Sequence, residues 1–291
     1  MSFRLTGLRP GRALQNLFAA GVLLLGSGAT ASAEEDDDEP TPDRAPGESS
    51  VSVSYADTAD ENWARGEAEF ADEDFLAAQK YFSYVRTKFP YSKHAVLADL
   101  RVADCLFARE RFVEAIDAYQ SFVRFHPTHE KVPYAMLRAG MSYCEQIPGD
   151  WFIIPPSHEK DQSPVRDAER ALAAYVDRFP KDESHEEGKK LLAEVRRRLV
   201  RHERYAADFY RNAERPKAWA GRLEVIRKSY ADVALDAALL AELTEAWLLA
   251  DEPKRAKSAV DELITRFPQT PERARAEALL TKSSTLTGGS R

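Results

Sequence analysis

The sequence predicts an all-α protein in which about five pairs of helices stack into a solenoid. Two observations carry this prediction: a helix end that recurs along the chain, and an apolar pattern that precedes each of these ends. Each end is an aromatic residue or histidine followed by proline, and a residue before proline is disfavoured in the α region. The ends are Phe89-Pro90, His126-Pro127, Phe179-Pro180 and Phe267-Pro268, with a weaker one at Tyr230.

The apolar residues before each end have the spacing of one helix face. In one such run, Ala115, Ile116, Tyr119, Phe122 and Val123 recur at intervals of one, three and four residues. Repeats of about 34 to 40 residues built from paired helices are typical of tetratricopeptide-type arrays. A generic helical bundle is the alternative, but five units in the same register favour a repeat array.

Residues 1–33 have the pattern of a cleaved signal peptide. Arg4, Arg9 and Arg12 precede an apolar run that is shorter than the about 20 residues needed to cross a bilayer. Ala31-Ser32-Ala33 offers a small-residue cleavage site, so we expect export and cleavage, with a retained membrane anchor as the alternative. No cysteine precedes Cys105, and we therefore expect no lipid on the mature N-terminus.

The rest of the chain divides into a linker, two halves of the array and a tail. Residues 34–56 open with the acidic run EEDDDEP and continue with Pro, Gly and Ser, so we expect a disordered linker. Repeats 1–3 occupy residues 57–183, repeats 4 and 5 with a capping helix occupy 184–282, and 283–291 form a flexible tail. An insert at 147–164 breaks the period. Its apolar run WFII either packs back on the array or contacts another molecule.

Three finer predictions concern helix starts and cysteines. Ser92 and Thr128 are the predicted N-caps of the helices that follow the first two corners. Cys105 and Cys144 fall on helices of adjacent units. They either form a disulfide, as an oxidising compartment allows, or are two small buried residues, which is the simpler interpretation.

A long helix is predicted after Ser184, and one face of it is strongly basic although the protein has a net charge of −7. This face is either a contact surface for a partner or a solvated face balanced by nearby carboxylates. Its basic residues are Lys189, Lys190, Arg196, Arg197, Arg198, Arg201 and Arg204.

Composition and motifs favour a binding protein over an enzyme. The acidic net charge argues against nucleic-acid binding, which usually needs a basic domain. No glycine-rich loop opens a helix, so no phosphate site is indicated. His126 and His129 flank a helix corner instead of sharing a helix face, which does not predict a metal site. We therefore expect no catalytic residues, no metal and no cofactor.

Three segments resemble, in the right order, the BamD (YfiO-type) family of outer membrane protein assembly factors. One is similar to the junction of that family's second and third repeats, one to its enlarged third repeat, and one to its long helix and fourth repeat. They are HPTHEKVPYAMLRAG, the loop that ends in Asp161-Gln162 with AERALAAYVDRFP after it, and LVRHERYAADFYRNAERPKAWAGRLEVIRKSY, with His202-Glu203 and Phe209-Tyr210 in place. The resemblance covers residues 57 to about 280.

The resemblance implies a periplasmic scaffold at the outer membrane that helps to fold and insert β-barrel proteins. Its C-terminal repeats would dock on the last POTRA domain of a BamA-type barrel subunit, and Arg222 matches the family's docking arginine. A guanidinium suits this role because it can pair bidentately with a carboxylate, although an ordinary surface ion pair is the alternative. From the basic face we add Arg197 and Arg201 as partner-binding candidates.

The resemblance also implies a groove in the N-terminal repeats for unfolded outer-membrane β-barrel proteins. The candidate groove residues are Tyr81, Tyr84, Arg101, Tyr119 and Tyr134. Members of this family are typically lipidated, whereas we expect this chain to be held at the membrane indirectly, through its partner. Other assembly lipoproteins are further candidate partners.

Two other functions compete with this one. The first is a periplasmic repeat adaptor of another kind, such as a cell-division or cell-wall coordinator. That class should show a heptad segment before the repeats, where this sequence has an acidic linker. The second is a cell-envelope enzyme that uses the array as a platform, and it would need a polar cluster in a closed pocket.

Overall fold

The computed structural model describes residues 52–148 and 161–288, with side chains through residue 282. The predicted signal peptide, most of the predicted linker, the apolar run of the insert and residues 289–291 lie outside the described residues. In the described part of the chain, no helix has the length and apolar character needed to cross a membrane.

The described residues form α-helices, most of them joined by short turns, which confirms the predicted fold class. Five pairs of consecutive helices pack together, namely α1–α2, α3–α4, α5–α6, α7–α8 and α10–α11, and α12 packs on α10 and α11 as a cap. The division of the array into two halves at residue 184 stays a prediction. The helices are α1 (Ala59–Ala71), α2 (Phe75–Lys88), α3 (Ala95–Ala108), α4 (Phe112–Phe125), α5 (Val132–Glu145), α6 (Ser163–Arg178), α7 (His185–Asn212), α8 (Pro216–Ser229), α9 (Ala231–Ala234), α10 (Ala237–Leu249), α11 (Pro253–Arg266) and α12 (Pro271–Gly288).

The turn within a helix pair has one recurring geometry. Glu73, Glu110, Glu214 and Asp251 each have a positive φ, between 54° and 64°, in the turns of the first, second, fourth and fifth pairs. In the second pair, for example, the next residue, Arg111, donates its backbone N–H to a carbonyl of the preceding helix at 2.9 Å. A residue in this left-handed conformation ends a helix and satisfies its last carbonyls.

The corner between pairs also recurs, and it explains why two predicted N-caps are wrong. The residues before proline at 89, 126, 179 and 267 end their helices with φ near −130° and ψ of 53° to 60°. Two successive turns follow before the next helix begins. Ser92 N donates to Phe89 O, and Ala95 N then donates to Ser92 O.

These extra turns delay the helix starts by about three residues. Helix α3 begins at Ala95 after His94, and α5 begins at Val132 after Lys131, and neither preceding residue makes a side-chain capping bond. Ser92 and Thr128 therefore lie in the corner itself and do not cap a helix.

Small residues allow the helices to approach closely. A Cβ atom added at Gly140 would lie 2.6 Å from Leu172 Cδ2, and one at Gly188 would lie 2.5 Å from Tyr175 Cε1. Leu172 and Tyr175 are fully buried in α6, between these two glycines. The packing of α5, α6 and α7 thus depends on the absence of a side chain at both positions.

Both cysteines are free thiols, in agreement with the simpler interpretation. Burial raises the pKa of the Cys105 thiol to about 12 and that of Cys144 to about 11. Because the thiolate is the reactive form, we expect both thiols of the native protein to react at pH 8 about 100-fold or more slowly than an exposed cysteine. The measurement is the rate of reaction with a chromogenic disulfide, before and after unfolding in urea without reductant. Fewer than two thiols per unfolded chain would reveal a disulfide.

Candidate functional site

The first candidate site is formed where residues 52–56 lie against α1 and α2. We call these five residues the N-terminal strap. The ring of Tyr55 stacks on Tyr84 with 3.9 Å between ring centroids and an 8° interplanar angle, and it meets the ring of Tyr81 edge-on at 5.8 Å. Tyr81 Oη and Arg65 Nη1 both donate to the carbonyl of Ser54, at 3.1 and 2.6 Å. Two predicted groove residues are therefore covered by the chain's own segment.

The strap corrects the prediction of a disordered linker through residue 56. Its C-terminal end is fixed by Asn62, whose side chain is fully buried. Asn62 Oδ1 accepts from Ala56 N at 2.9 Å and Asn62 Nδ2 donates to Ala56 O at 2.8 Å, so the amide pairs with Ala56 as a neighbouring strand would. The sequence signal was the alternation of Val and Ser in VSVSY, which is a strand pattern within a stretch assigned to the linker.

The other three predicted groove residues converge on Asp104, a buried carboxylate of α3. Its Oδ1 accepts from Tyr119 Oη at 2.7 Å and from Tyr134 Oη at 2.9 Å, and its Oδ2 accepts from Arg101 Nη1 at 3.2 Å. Tyr119 is fully buried, so its ring belongs to the core and does not line an open groove as expected. Arg101 and Tyr134 are partly buried.

Further residues complete this Asp104 cluster. Arg101 forms a bidentate pair with Glu67 of α1 at 2.7 and 2.9 Å, and its guanidinium lies 4.0 Å from the centre of the Phe70 ring. Arg138 of α5 donates to Tyr119 Oη at 3.3 Å. Burial and the negative charge of Asp104 raise the pKa values of Tyr119 and Tyr134. Asp104 was not among the predicted site residues, although a charged pair at Arg101 and Asp104 within an apolar helix was a usable signal.

The second candidate site is an exposed row on α7, which we call the α7 stripe. It consists of Arg197, Arg201, Tyr205 and Phe209, which follow one another at steps of four residues and are all exposed. Phe209 is 60% exposed, although it is a large apolar residue. Among the described residues, Arg197 and Arg201 have no salt-bridge partner. The two arginines were predicted from their charge, whereas Tyr205 carries no charge and was therefore missed.

The remaining basic residues of α7 are largely balanced by carboxylates, which was the alternative for this face. Lys189 pairs with Glu186 at 3.1 Å, and Arg196 pairs with both Glu169 and Asp232 at 3.0 and 2.7 Å. Arg204 pairs with Glu242 of α10. Among the described residues, Arg197 and Arg201 share the lack of a salt bridge with Lys190 and Arg198, and they differ from those two by their place in the α7 stripe beside exposed aromatic rings.

Arg222 lies on α8, next to the C-terminal end of the α7 stripe. Its Nη1 donates to Glu203 Oε2 at 3.1 Å, and the side chain of Glu203 is only 7% exposed. The guanidinium lies 5.9 Å from the centre of the Tyr210 ring, which packs edge-on against Phe209 at 5.4 Å. The hydrogen bond to Glu203 raises the pKa of Arg222. Arg222 is therefore held in place by a buried carboxylate, and its side chain is 38% exposed.

In the described parts of the chain, no three His, Cys, Asp or Glu side chains are grouped so that they could hold a metal ion. The polar side chains of both candidate sites pair with one another or face solvent. Their chemistry is that of aromatic stacking, carboxylate–guanidinium pairing and hydrogen bonding to peptide groups. These interactions suit recognition of another polypeptide.

Comparisons with solved structures give only distant similarities. The TPR2AB domain of yeast Sti1, solved in a complex with pHSP90, has a TM-score of 0.35 and 12% identity, covering 79% of this chain and 84% of that one. A tetratricopeptide protein of Thermus thermophilus has a TM-score of 0.33 and 13% identity, covering 77% of this chain and 100% of that one.

Comparisons with known sequences give a specific family. The outer membrane protein assembly factor BamD of Neisseria meningitidis serogroup B is 26% identical over 217 residues, which are 72% of this chain and 79% of the relative. The protein of the same name from Xylella fastidiosa strain 9a5c is 24% identical over 202 residues, 68% of each chain. The model of the YfiO family, described as outer membrane lipoprotein, matches residues 55–263, from Tyr55 of the strap through the α7 stripe to α11. The chain therefore belongs to the YfiO family, the one that its sequence resembles.

Proposed function

We propose that this protein is a non-enzymatic scaffold for the assembly of outer-membrane β-barrel proteins, working at the periplasmic face of the outer membrane. The observation that carries the proposal is the family match over residues 55–263, which includes the α7 stripe, the Asp104 cluster, and Tyr55 with its partners on α2. The curated relatives are named as outer membrane protein assembly factors. The scaffold would bind a barrel-forming subunit with one part of its surface and unfolded barrel proteins with another.

For the barrel-forming subunit we propose docking of a POTRA domain on the α7 stripe and Arg222. The protein is acidic overall, so two open arginines beside exposed aromatic rings favour a partner surface with carboxylates around an apolar centre. Glu203 orients the guanidinium of Arg222 without covering it. An oriented guanidinium loses less conformational entropy when it binds a carboxylate.

For unfolded barrel proteins we propose the N-terminal repeats, with the partly buried Tyr84, Arg101 and Tyr134, and with Tyr81, which is buried beneath the strap. Tyr119 supports this region from within, through its bond to Asp104. Docking on the barrel subunit would itself hold the scaffold at the membrane, and other assembly lipoproteins could join the same complex.

The docking surface is tested by pull-down from detergent-solubilised envelopes with the tagged, exported protein. We expect the parent protein to recover a large β-barrel protein with POTRA domains. Arg201→Glu and Arg197→Glu should each recover at least about tenfold less, because a reversed charge would face the partner's carboxylates. Arg124→Glu, an exposed arginine of α4, is the matched control for the change of charge and should behave like the parent.

Charge reversal at Arg222 is a poorer test of docking. A glutamate at this position would face the buried carboxylate of Glu203, so a loss of recovery could come from a destabilised α7–α8 contact. Equal recovery by the parent, Arg197→Glu and Arg201→Glu would exclude the α7 stripe as the docking surface but keep the assembly role. Recovery of a division or cell-wall protein in place of the barrel protein would contradict the assembly role.

A further inference from the structure

We propose that the N-terminal strap is a resident ligand in a binding site for extended polypeptide, and that an incoming extended segment with an aromatic residue displaces it. The inference rests on the proposed function, because the strap covers Tyr81 and Tyr84, which we propose as part of the surface for unfolded barrel proteins. Beyond that function, we infer that the site accepts an extended segment with an aromatic residue, and that the strap competes with it.

The contacts of the strap are those that recognise an extended backbone with one aromatic side chain. The carbonyl of Ser54 receives two donors, Tyr81 Oη and Arg65 Nη1, while the ring of Tyr55 is stacked on Tyr84. The two donors and the receiving ring of Tyr84 all belong to side chains of α1 and α2. The hydrogen bonds are to main-chain carbonyl oxygen, which every polypeptide carries, so the aromatic ring is the feature that selects the ligand.

The strap can leave without unfolding the first helix. Its C-terminal end is held by Asn62, and Thr58 caps α1 by accepting from Glu61 N at 3.2 Å. These bonds fix residues 56–58, whereas Ser54 and Tyr55 are held only at the surface, with Tyr55 42% exposed. A turn of the chain just before Ala56 would open the site on Tyr81 and Tyr84 and keep both the cap and Asn62 in place.

The sequence at the start of the strap, together with the residue before it, has the pattern of one strand of a membrane barrel. Strands of transmembrane β-barrels alternate apolar and polar residues and carry aromatic residues where they meet the membrane interface. Residues 51–55, VSVSY, alternate in the same way and end in an aromatic residue. An unfolded barrel strand could therefore make the same contacts as the strap.

When the strap occupies the site, an external ligand can bind only to the molecules in which the site is open. The apparent affinity for that ligand is therefore reduced in proportion to the open fraction. Tyr55→Ala removes the stacked ring that holds the strap and leaves the receiving rings intact. We therefore expect this variant to bind an extended aromatic peptide about tenfold more tightly than the parent protein does. Tyr84→Ala removes the receiving ring and should abolish binding.

The experiment uses the full exported protein and a fluorescein-labelled peptide, SVSVSYAD, which reproduces residues 50–57. Binding is measured by fluorescence polarisation for the parent, Tyr55→Ala, Tyr84→Ala and Tyr55→Ala/Tyr84→Ala. The expected order of affinity is Tyr55→Ala above the parent, with both Tyr84→Ala proteins lowest. A second peptide with alanine in place of tyrosine should bind to none of them. Circular dichroism of each variant verifies that the helices are retained.

Tyr91→Ala is the matched control, because Tyr91 is fully exposed in the corner after α2, and it should match the parent. Equal affinity of Tyr55→Ala and the parent would overturn the inference, and so would binding that survives Tyr84→Ala. Competition by an unfolded barrel protein for the same peptide is a separate measurement. Its absence would count against the proposed substrate, while the peptide results alone decide whether the strap occupies a peptide site.

Discussion

Replacement of Asp104 by alanine should lower the free energy of unfolding by about 3–5 kcal/mol, as is usual when one partner of a buried charged pair is removed. Asp104 accepts from two tyrosine hydroxyls and from Arg101, and its side chain is almost fully buried. Without it, the hydroxyls of Tyr119 and Tyr134 lose their acceptor inside the protein, where such groups are costly. Urea unfolding followed by circular dichroism gives the value.

Asp99→Ala is the matched control on the same helix. Asp99 pairs with Arg86 at 3.3 Å, and both side chains are at least one third exposed, so its loss should cost no more than about 1 kcal/mol. Asp104→Asn is a second test, because it retains an acceptor oxygen for the tyrosines but loses the charge opposite Arg101. It should fall between the parent and Asp104→Ala. A cost at Asp104 no larger than that at Asp99 would contradict a structural role for the cluster.

The effect of Asp104 should extend over several repeats. Its partners lie on α3, α4 and α5, and Arg101 continues the cluster to Glu67 on α1. In a repeat protein, stability is the sum of each unit and its contacts with the next, so a residue at several contacts weighs more than one within a single helix pair. The Asp104 cluster therefore links the N-terminal repeats by polar contacts, in addition to the apolar packing between them.

The sequence predicted the repeat architecture because that architecture depends on local rules. The X-Pro corners and the apolar periodicity act within one or two helices, and both recur often enough to set a register. The same rules failed at Ser92 and Thr128. The number of turns between a proline and the next helix is set by how the two helices pack, which a single corner does not show.

The candidate sites were predicted less well because they depend on contacts between distant positions. The position of Tyr119 in the sequence fits a core residue and also fits a residue that lines a groove. In the structure its hydroxyl binds the buried Asp104, 15 positions earlier, so Tyr119 belongs to the core. Tyr55 reaches its partner Tyr84 across 29 positions, although its neighbours in sequence resemble a linker. For Arg222, the family resemblance identified the position, but the burial of its partner Glu203 became apparent only in the structure.

The α7 helix shows why charge patterns alone overpredict contact surfaces. Seven basic residues marked one face, yet Lys189, Arg196 and Arg204 are paired with carboxylates of their own or neighbouring helices. What distinguishes Arg197 and Arg201 is their place in a row with two exposed aromatic rings. Charge together with exposed apolar area is a stronger sign of a protein interface than charge alone.

Gly188→Ala should destabilise the protein by about 2 kcal/mol, although alanine is the better helix former. Gly188 lies in the first turn of α7, and an added Cβ would lie 2.5 Å from Tyr175 Cε1 and 2.7 Å from Cδ1. The Tyr175 ring is fully buried and its hydroxyl is bound to Asp182 Oδ1 at 2.5 Å, so it cannot easily move aside. The helix itself must shift, which weakens the contact of α7 with α6. The midpoint of urea unfolding measures this cost.

Gly221→Ala is the opposite case and the matched control. Gly221 lies within α8, and an added Cβ would meet no atom within 4 Å. The same substitution should there stabilise the protein by about 1 kcal/mol, because only the helix preference of alanine acts. The two variants thus separate the intrinsic cost of glycine in a helix from its value in close packing. If Gly188→Ala stabilised the protein as Gly221→Ala is expected to do, the packing of α7 on α6 would not depend on close contact at Gly188.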